Sequence, residues 1–446
     1  MPSQNLTRKI SLLQASSINM IDMVGIGPFV VMPLVMKIMG SHLFLWAWIF
    51  GAATSLVDGM IWSELGASYP LAGGSYNFLK EAYGKKGGRL MSFLFVWQTC
   101  LQAPLVVASG AIGFAQYFCY LTPLTTMERK LLSGVIILLI IFLLYRRIET
   151  IGKISVFLWA GVVVTILWII ISGFSHKTIP YKLLPDANDS FFSFAFMVLV
   201  GKASVKTVYS YLGYYNVCHL GGEIINPQRN IPRSIFLSIF GVALLYLCMN
   251  VSIIGVVPWQ EAMQSDFIVS TFMEKIYGTK AAVVATLLVM WIAFASLFAV
   301  LLGYSRVPYA AAADGRFFPA FAKLHPTKDF PYVSLLFIGG IGFVFSLLFK
   351  LGDVISAILA MRILVQFVAQ AVGVVQLRKR NGTKNLPFKM WLYPLPIIFS
   401  VLTWLFVFYS TGKVVWFGLV LIAIGIIVFY CTKNLWVDKS IGTEHL

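Results

Sequence analysis

Few residues in this 446-residue chain have the types and spacing that covalent chemistry needs. The five cysteines (Cys100, Cys119, Cys218, Cys248 and Cys431) all sit in apolar runs, and no two have metal-ligand spacing. They read as small buried hydrophobes. The five histidines are scattered, with no H-x-x-H or H-E-x-x-H. No Walker A loop, G-x-S-x-G elbow or kinase signature occurs. The sequence therefore predicts no enzyme, no metal, no cofactor and no coupling to ATP. What stands out instead is polarity where it is costly. Asp22, Asp58 and Arg362 lie inside long apolar stretches. Ionisable groups in such places are functional candidates by default.

Those stretches dominate the chain. Hydrophobic residues make up 59% and charged residues 11%, with a mean hydropathy of +0.85. A soluble domain carries about 25% charged residues, so that class is excluded. Disorder is excluded by the same hydrophobicity. A membrane span needs about 20 mostly apolar residues. Twelve windows qualify, near 15–36, 42–65, 90–120, 128–145, 153–173, 203–222, 233–256, 281–305, 332–350, 353–377, 391–411 and 413–432. The apolar run Phe191 to Val200 is too short to span and reads as interfacial, or as the approach to the sixth span. No small-residue cleavage site follows a short apolar stretch after Arg8 and Lys9, so no cleaved signal peptide is expected. With the N-terminus inside, 22 Lys and Arg fall on inner segments and nine on outer ones. Lys202, Lys206 and Arg362 remain at membrane depth. This asymmetry predicts cytoplasmic N- and C-termini. It also locates the net charge of +17 at one membrane face, which removes a nucleic-acid partner.

Two spans carry breaks. The first reads Asp22-Met23-Val24-Gly25-Ile26-Gly27-Pro28-Phe29. Pro28 lacks the N–H for a helical bond, and the glycines resist unwinding little. The sixth reads Tyr209-Ser210-Tyr211-Leu212-Gly213-Tyr214-Tyr215-Asn216. Breaks in spans one and six fit an inverted repeat of spans 1–5 on spans 6–10, and such pairs mark transporter sites. Backbone left unpaired at membrane depth must line a cavity. The half-helix beyond each break presents free N–H groups and a positive dipole end to a carboxylate. Loose carbonyls suit an ammonium group. An amino acid carries both.

Four further stretches, in order, resemble the amino acid–polyamine–organocation superfamily of permeases. They are Gly25-Ile26-Gly27-Pro28; Glu64-Leu65 with Pro70, Gly73-Gly74, Tyr76, Ala82 and Gly84; Gly213 to Asn216 with Glu223, Asn226-Pro227, Arg229-Asn230-Ile231-Pro232 and Arg233; and Ser305-Arg306 with Tyr309-Ala310, Asp314-Gly315, Pro319 and His325-Pro326. The resemblance covers nearly the whole chain. It implies an all-α integral membrane protein of 12 transmembrane helices. The first repeat would be residues 1–173 and the second 174–377, with two extra helices and the tail in 378–446. It also implies alternating access. Two departures stand out: Ala313 replaces the arginine many relatives carry before Asp-Gly, and the span-five lysine of several branches has no clear counterpart, since Lys153 lies nearer the span's end.

The expected substrate-binding set is Gly25, Ile26, Gly27, Pro28, Gln98, Gln102, Tyr209, Tyr211, Gly213, Tyr214 and Asn216. Gln98 and Gln102 share one face of span three, either toward a cavity or in interhelical hydrogen bonds. For coupling or gating, Arg362 is expected to pair with Asp22 or Asp58, either reporting the state of the first broken helix or as a static buried pair. Glu64, Glu223, Arg306 and Arg316 meet the cytoplasmic mouth, as an inner gate or as solvated loop charges. His219 either couples proton movement or packs neutral. Ser296 is a candidate cation ligand. The leading reading is a plasma-membrane transporter moving amino acids by proton-coupled symport or exchange, with sodium as a second candidate ion. A polyamine or organic-cation permease is the alternative, with Asp22 its main candidate ligand. A channel would need a carbonyl filter or a charged ring, which the sequence lacks.

Overall fold

The computed structural model describes residues 6–180, 193–349 and 351–432, with side chains in the last segment from 357 onward. Lys182, Lys350, Lys433 and Lys439 lie outside the described residues, as do Phe191 and Phe192 of the short apolar run. The chain is all-helical; among the described residues only two isolated β-bridges occur. In order the helices are α1 (Leu12–Met23), α2 (Gly27–Met39), α3 (Leu45–Ser68), α4 (Ser75–Ala82), α5 (Gly84–Phe118), α6 (Thr126–Leu144) and α7 (Ile148–Ser175). There follow α8 (Phe194–Tyr211), α9 (Asn216–His219), α10 (Pro227–Ile254), α11 (Trp259–Ala262), α12 (Ile268–Tyr277) and α13 (Thr279–Tyr304). The last are α14 (Arg306–Ala313), α15 (Tyr332–Leu348), α16 (Leu351–Arg362), α17 (Ala369–Asn381), α18 (Leu395–Ser410) and α19 (Val415–Thr432).

A helix occupies every window expected to span. Among the described residues, seven rods are long and apolar enough to cross a membrane, and α1 with α2 makes an eighth if that pair, bent by 42°, counts as one span. The run up to Val200 is the opening of α8, so it approaches the sixth window and does not form a separate interfacial element. Local signals set the ends. Ser11 and Gln14 form a capping box on α1, and Thr125 and Glu128 form one on α6. Asn226 adopts a left-handed φ of 46°, and Pro227 then begins α10 where no helical N–H is required.

The broken helices lie in the middle. α10 packs on α3 and on α1, α13 packs on α5, and α2 and α3 both pack on α8. The outer helices keep apolar faces exposed: Phe142, Phe157, Leu402 and Trp416 are all uncovered. A continuous apolar exterior of this kind is what a bilayer solvates. The expectation that every cysteine is buried is corrected: Cys218 is buried, but Cys431 is exposed on α19 and the others are intermediate.

Candidate functional site

The first helix stops at Met23. Val24 takes φ −88° and ψ 72°, outside helical values. A Cβ on Gly25 would sit 2.6 Å from Ser296 Oγ, so glycine lets α13 press against the break. Pro28 is not a mid-helix kink. It lies in the first turn of α2, where its missing N–H would be unpaired in any case. The opening N–H groups of α2 have no helical acceptor and point back into the break.

The second break is sharper. Leu212 is extended after α8, and Gly213 has φ +125°, which favours glycine. A Cβ there would lie 2.7 Å from Met23 N and 2.9 Å from Asp22 Cγ. The two breaks therefore touch, and Gly213 is the contact. Polar side chains then take up the freed backbone. Tyr246 donates to Met23 O at 2.7 Å and to Ser210 O at 3.1 Å, so one hydroxyl serves both breaks. Asn19 donates to Tyr214 O at 2.7 Å and accepts from Val217 N at 2.9 Å. Asn216 donates to Asp22 Oδ2 at 2.7 Å and to Ala299 O at 2.8 Å. Ser296 donates to Asp22 O at 3.4 Å.

A cavity of about 50 Å³ lies at the crossing. Of the expected residues, Asp22, Gly25, Ile26, Gly27, Tyr209, Gly213, Ser296 and Arg362 line it. Tyr215 of the second break joins them, as do Ser109 and Tyr304, which were not anticipated. Small-molecule pockets usually exceed about 300 Å³, so this conformation is contracted. The Tyr209 and Ser109 hydroxyls bond at 3.0 Å across it.

Other expected positions lie elsewhere. Pro28 and Asn216 sit behind the lining; Asn216 acts through Asp22. Tyr211 packs on Trp48 and Tyr246. Tyr214 points away and donates to Asp58 Oδ2 at 2.6 Å. Gln98 and Gln102 are buried off the cavity; the Gln98 amide has no hydrogen-bond partner among the described residues, and Gln102 lies beside the Tyr304 hydroxyl. His219 stacks on Phe95 and meets Trp62, Tyr215 and Tyr304, with the Gly73 backbone beside its ring. That setting suits a packed neutral ring.

The expected ion pairs of Arg362 do not form. Asp58 is satisfied by neutral donors: Tyr214, Ser400 at 3.1 Å and Trp404 at 3.1 Å. Arg362 donates from Nε to Gln366 Oε1 at 3.0 Å and from Nη2 to the Tyr215 hydroxyl. Its guanidinium also lies over the rings of Tyr215, Tyr304 and Phe367. Sequence reasoning sought an acid for this base; aromatic faces and an amide took that place.

The face carrying the chain's beginning is closed by charge and backbone. Arg306 meets Glu223 through two bonds of 2.9 and 3.1 Å, and both are buried. Glu64 takes two bonds from Arg378, at 2.7 and 2.5 Å, and one from Met390 N at 2.8 Å. Lys80 reaches Asp314 at 2.5 Å, and Lys9 pairs with Glu149. Lys9 N and Ile10 N both donate to Glu223 O at 2.9 Å, and Gly73 N donates to His219 O at 2.9 Å. Glu64 and Arg306 thus belong to two separate pairs, and Arg378 was the missing partner.

The profile of the amino acid permease family matches residues 10–429. The chain is 25% identical to Asc-type amino acid transporter 1 of Mus musculus over 442 residues, covering 95% of this chain and 81% of that one. It is 24% identical to a serine/threonine exchanger of Bacillus subtilis over 411 residues, or 91% of each chain. It is also 23% identical to a methylthioribose transporter of Bacillus subtilis over 448 residues, 96% of this chain and 94% of that one.

Gly213→Ala should destabilise the protein by about 1–3 kcal/mol, because the substituted residue is strained and meets the first break. Thermal unfolding in detergent measures it; an unchanged midpoint contradicts the contact. Glu223→Gln should loosen the closed face. In a background with the other four cysteines replaced, an impermeant maleimide applied from that face should label buried Cys218 several-fold faster. Unchanged labelling together with unchanged transport contradicts a gating role.

Proposed function

The chain belongs to the amino acid permease family, and we propose that it moves an amino acid across the plasma membrane by alternating access. The observation that carries this reading is the crossing of two broken helices at a cavity that holds both a carboxylate and free helix N–H groups. A zwitterion matches that polarity. Asp22 and the nearby carbonyls take the ammonium group, and the start of α2 takes the carboxylate. A sugar thioether would use neither charge. A polyamine would leave the N–H groups without a partner and would place its cations near Arg362, so the polyamine alternative is disfavoured.

We read the twelve helical windows as twelve spans, with 1–173 and 174–377 as inverted repeats and both termini cytoplasmic. The face closed by Glu223–Arg306 and Glu64–Arg378 is then the cytoplasmic gate. Breaking a buried pair is costly when one partner is left behind, so a gate of this kind opens with both charges moving into water together.

Proton-coupled symport or exchange is the coupling we favour. The support for sodium is narrow: Ser296 Oγ approaches Asp22 O only at 3.4 Å, and one hydroxyl is a small part of a cation shell.

Uptake into proteoliposomes with labelled amino acids, methylthioribose and polyamines tests the reading. It should be run with a proton gradient, a sodium gradient, or internal substrate alone. Saturable uptake of at least one amino acid is expected, with no polyamine uptake. Polyamine or sugar uptake with no amino acid transported contradicts it.

A further inference from the structure

The cavity contains more anion-recognising chemistry than a single carboxylate uses. One element is the opening of α2. The other is Arg362, which lines the same cavity and is only 2% exposed. A buried guanidinium is normally matched by an acid, because taking a cation out of water unpaired costs several kcal/mol. Here no carboxylate lies within ion-pair distance among the described residues. Nε and Nη2 are held by Gln366 and Tyr215, and Nη1 has no hydrogen bond among the described residues. The two occupied nitrogens fix the plane of the fork and leave its third corner unused.

The backbone beside Arg362 adds a second observation. Residues Ile363–Val368 form a π-helical turn, which interrupts the rod between α16 and α17 directly after the arginine. Such turns are uncommon and recur at functional sites, because they shift the register of the side chains around them. Here the turn also places Gln366 where it receives Nε and Phe367 where its ring meets the guanidinium.

We propose that Arg362 is a specificity-determining residue that receives a second, side-chain carboxylate, so that the preferred substrates are amino acids with an anionic side chain. This rests on the transport reading above. The ammonium group goes to Asp22, the α-carboxylate to the N–H groups of α2, and the side-chain carboxylate to Nη1 of Arg362. Three charges on the ligand meet three complementary elements. Tyr209 and Tyr304 line the same space and must shift outward, since about 50 Å³ does not hold such a molecule.

The test compares acid and amide isosteres in proteoliposomes: aspartate against asparagine and glutamate against glutamine. At least one acid should compete for uptake about tenfold or more better than its amide, the scale of one charge-assisted hydrogen bond. Arg362→Gln should collapse that ratio to near one, and Arg362→Lys should keep part of it. Thermal midpoints of both variants show whether they fold; if Arg362→Gln does not, the isostere ratio of the unaltered protein and of Arg362→Lys decides. Amides transported as well as acids, or a ratio untouched by Arg362→Lys and Arg362→Gln, overturns this proposal while leaving the transport reading intact. Failure to transport any amino acid overturns both.

Discussion

The structure depends on one constraint: backbone freed at membrane depth has to be paired or has to face a cavity. Two helices are broken at the centre of this fold, and they are broken against each other. Gly213 touches Asp22 and Met23 so closely that a methyl group would not fit. Tyr246 then accepts responsibility for carbonyls from both breaks, and Asn19 and Asn216 bind across the crossing. With those groups satisfied by side chains, what remains open is the lining of a small polar space. The cavity follows from the way the two interruptions are secured.

The same crossing couples the site to the faces of the molecule. α9 follows the second break directly and ends at His219, whose carbonyl holds Gly73. A few residues on, Glu223 binds Arg306 through its carboxylate and the chain's beginning through its carbonyl. The break and the ion pair are thus joined by about ten residues of chain. Within the cavity itself, the Tyr209 and Ser109 hydroxyls bond to each other at 3.0 Å.

Much of this was legible in the sequence, for physical reasons. Glycine and proline inside apolar windows are conspicuous, so both breaks were found at Gly25–Pro28 and Gly213. Glu223 and Arg306 stood out as charges beside span ends. The pairing rules were harder to read. Asp58 looked like a partner for Arg362, yet Tyr214, Ser400 and Trp404 satisfy it with neutral donors. Glu64 and Arg378 are 314 residues apart, and no local pattern joins them. Tyr246 and Asn19 were missed because one tyrosine or asparagine in an apolar helix resembles ordinary packing. Gln98 and Gln102 share a helix face by their spacing, but a shared face does not say whether it meets the cavity.

Hydrogen–deuterium exchange at the amides of Gly25, Ile26 and Gly27 tests the central claim most directly. If the opening of the second half-helix holds the substrate carboxylate, saturating a transported amino acid should slow exchange there, with smaller changes at the distant α19. Unaltered exchange at these three amides, under conditions where the protein transports that amino acid, would contradict a site built on the crossing of the two breaks.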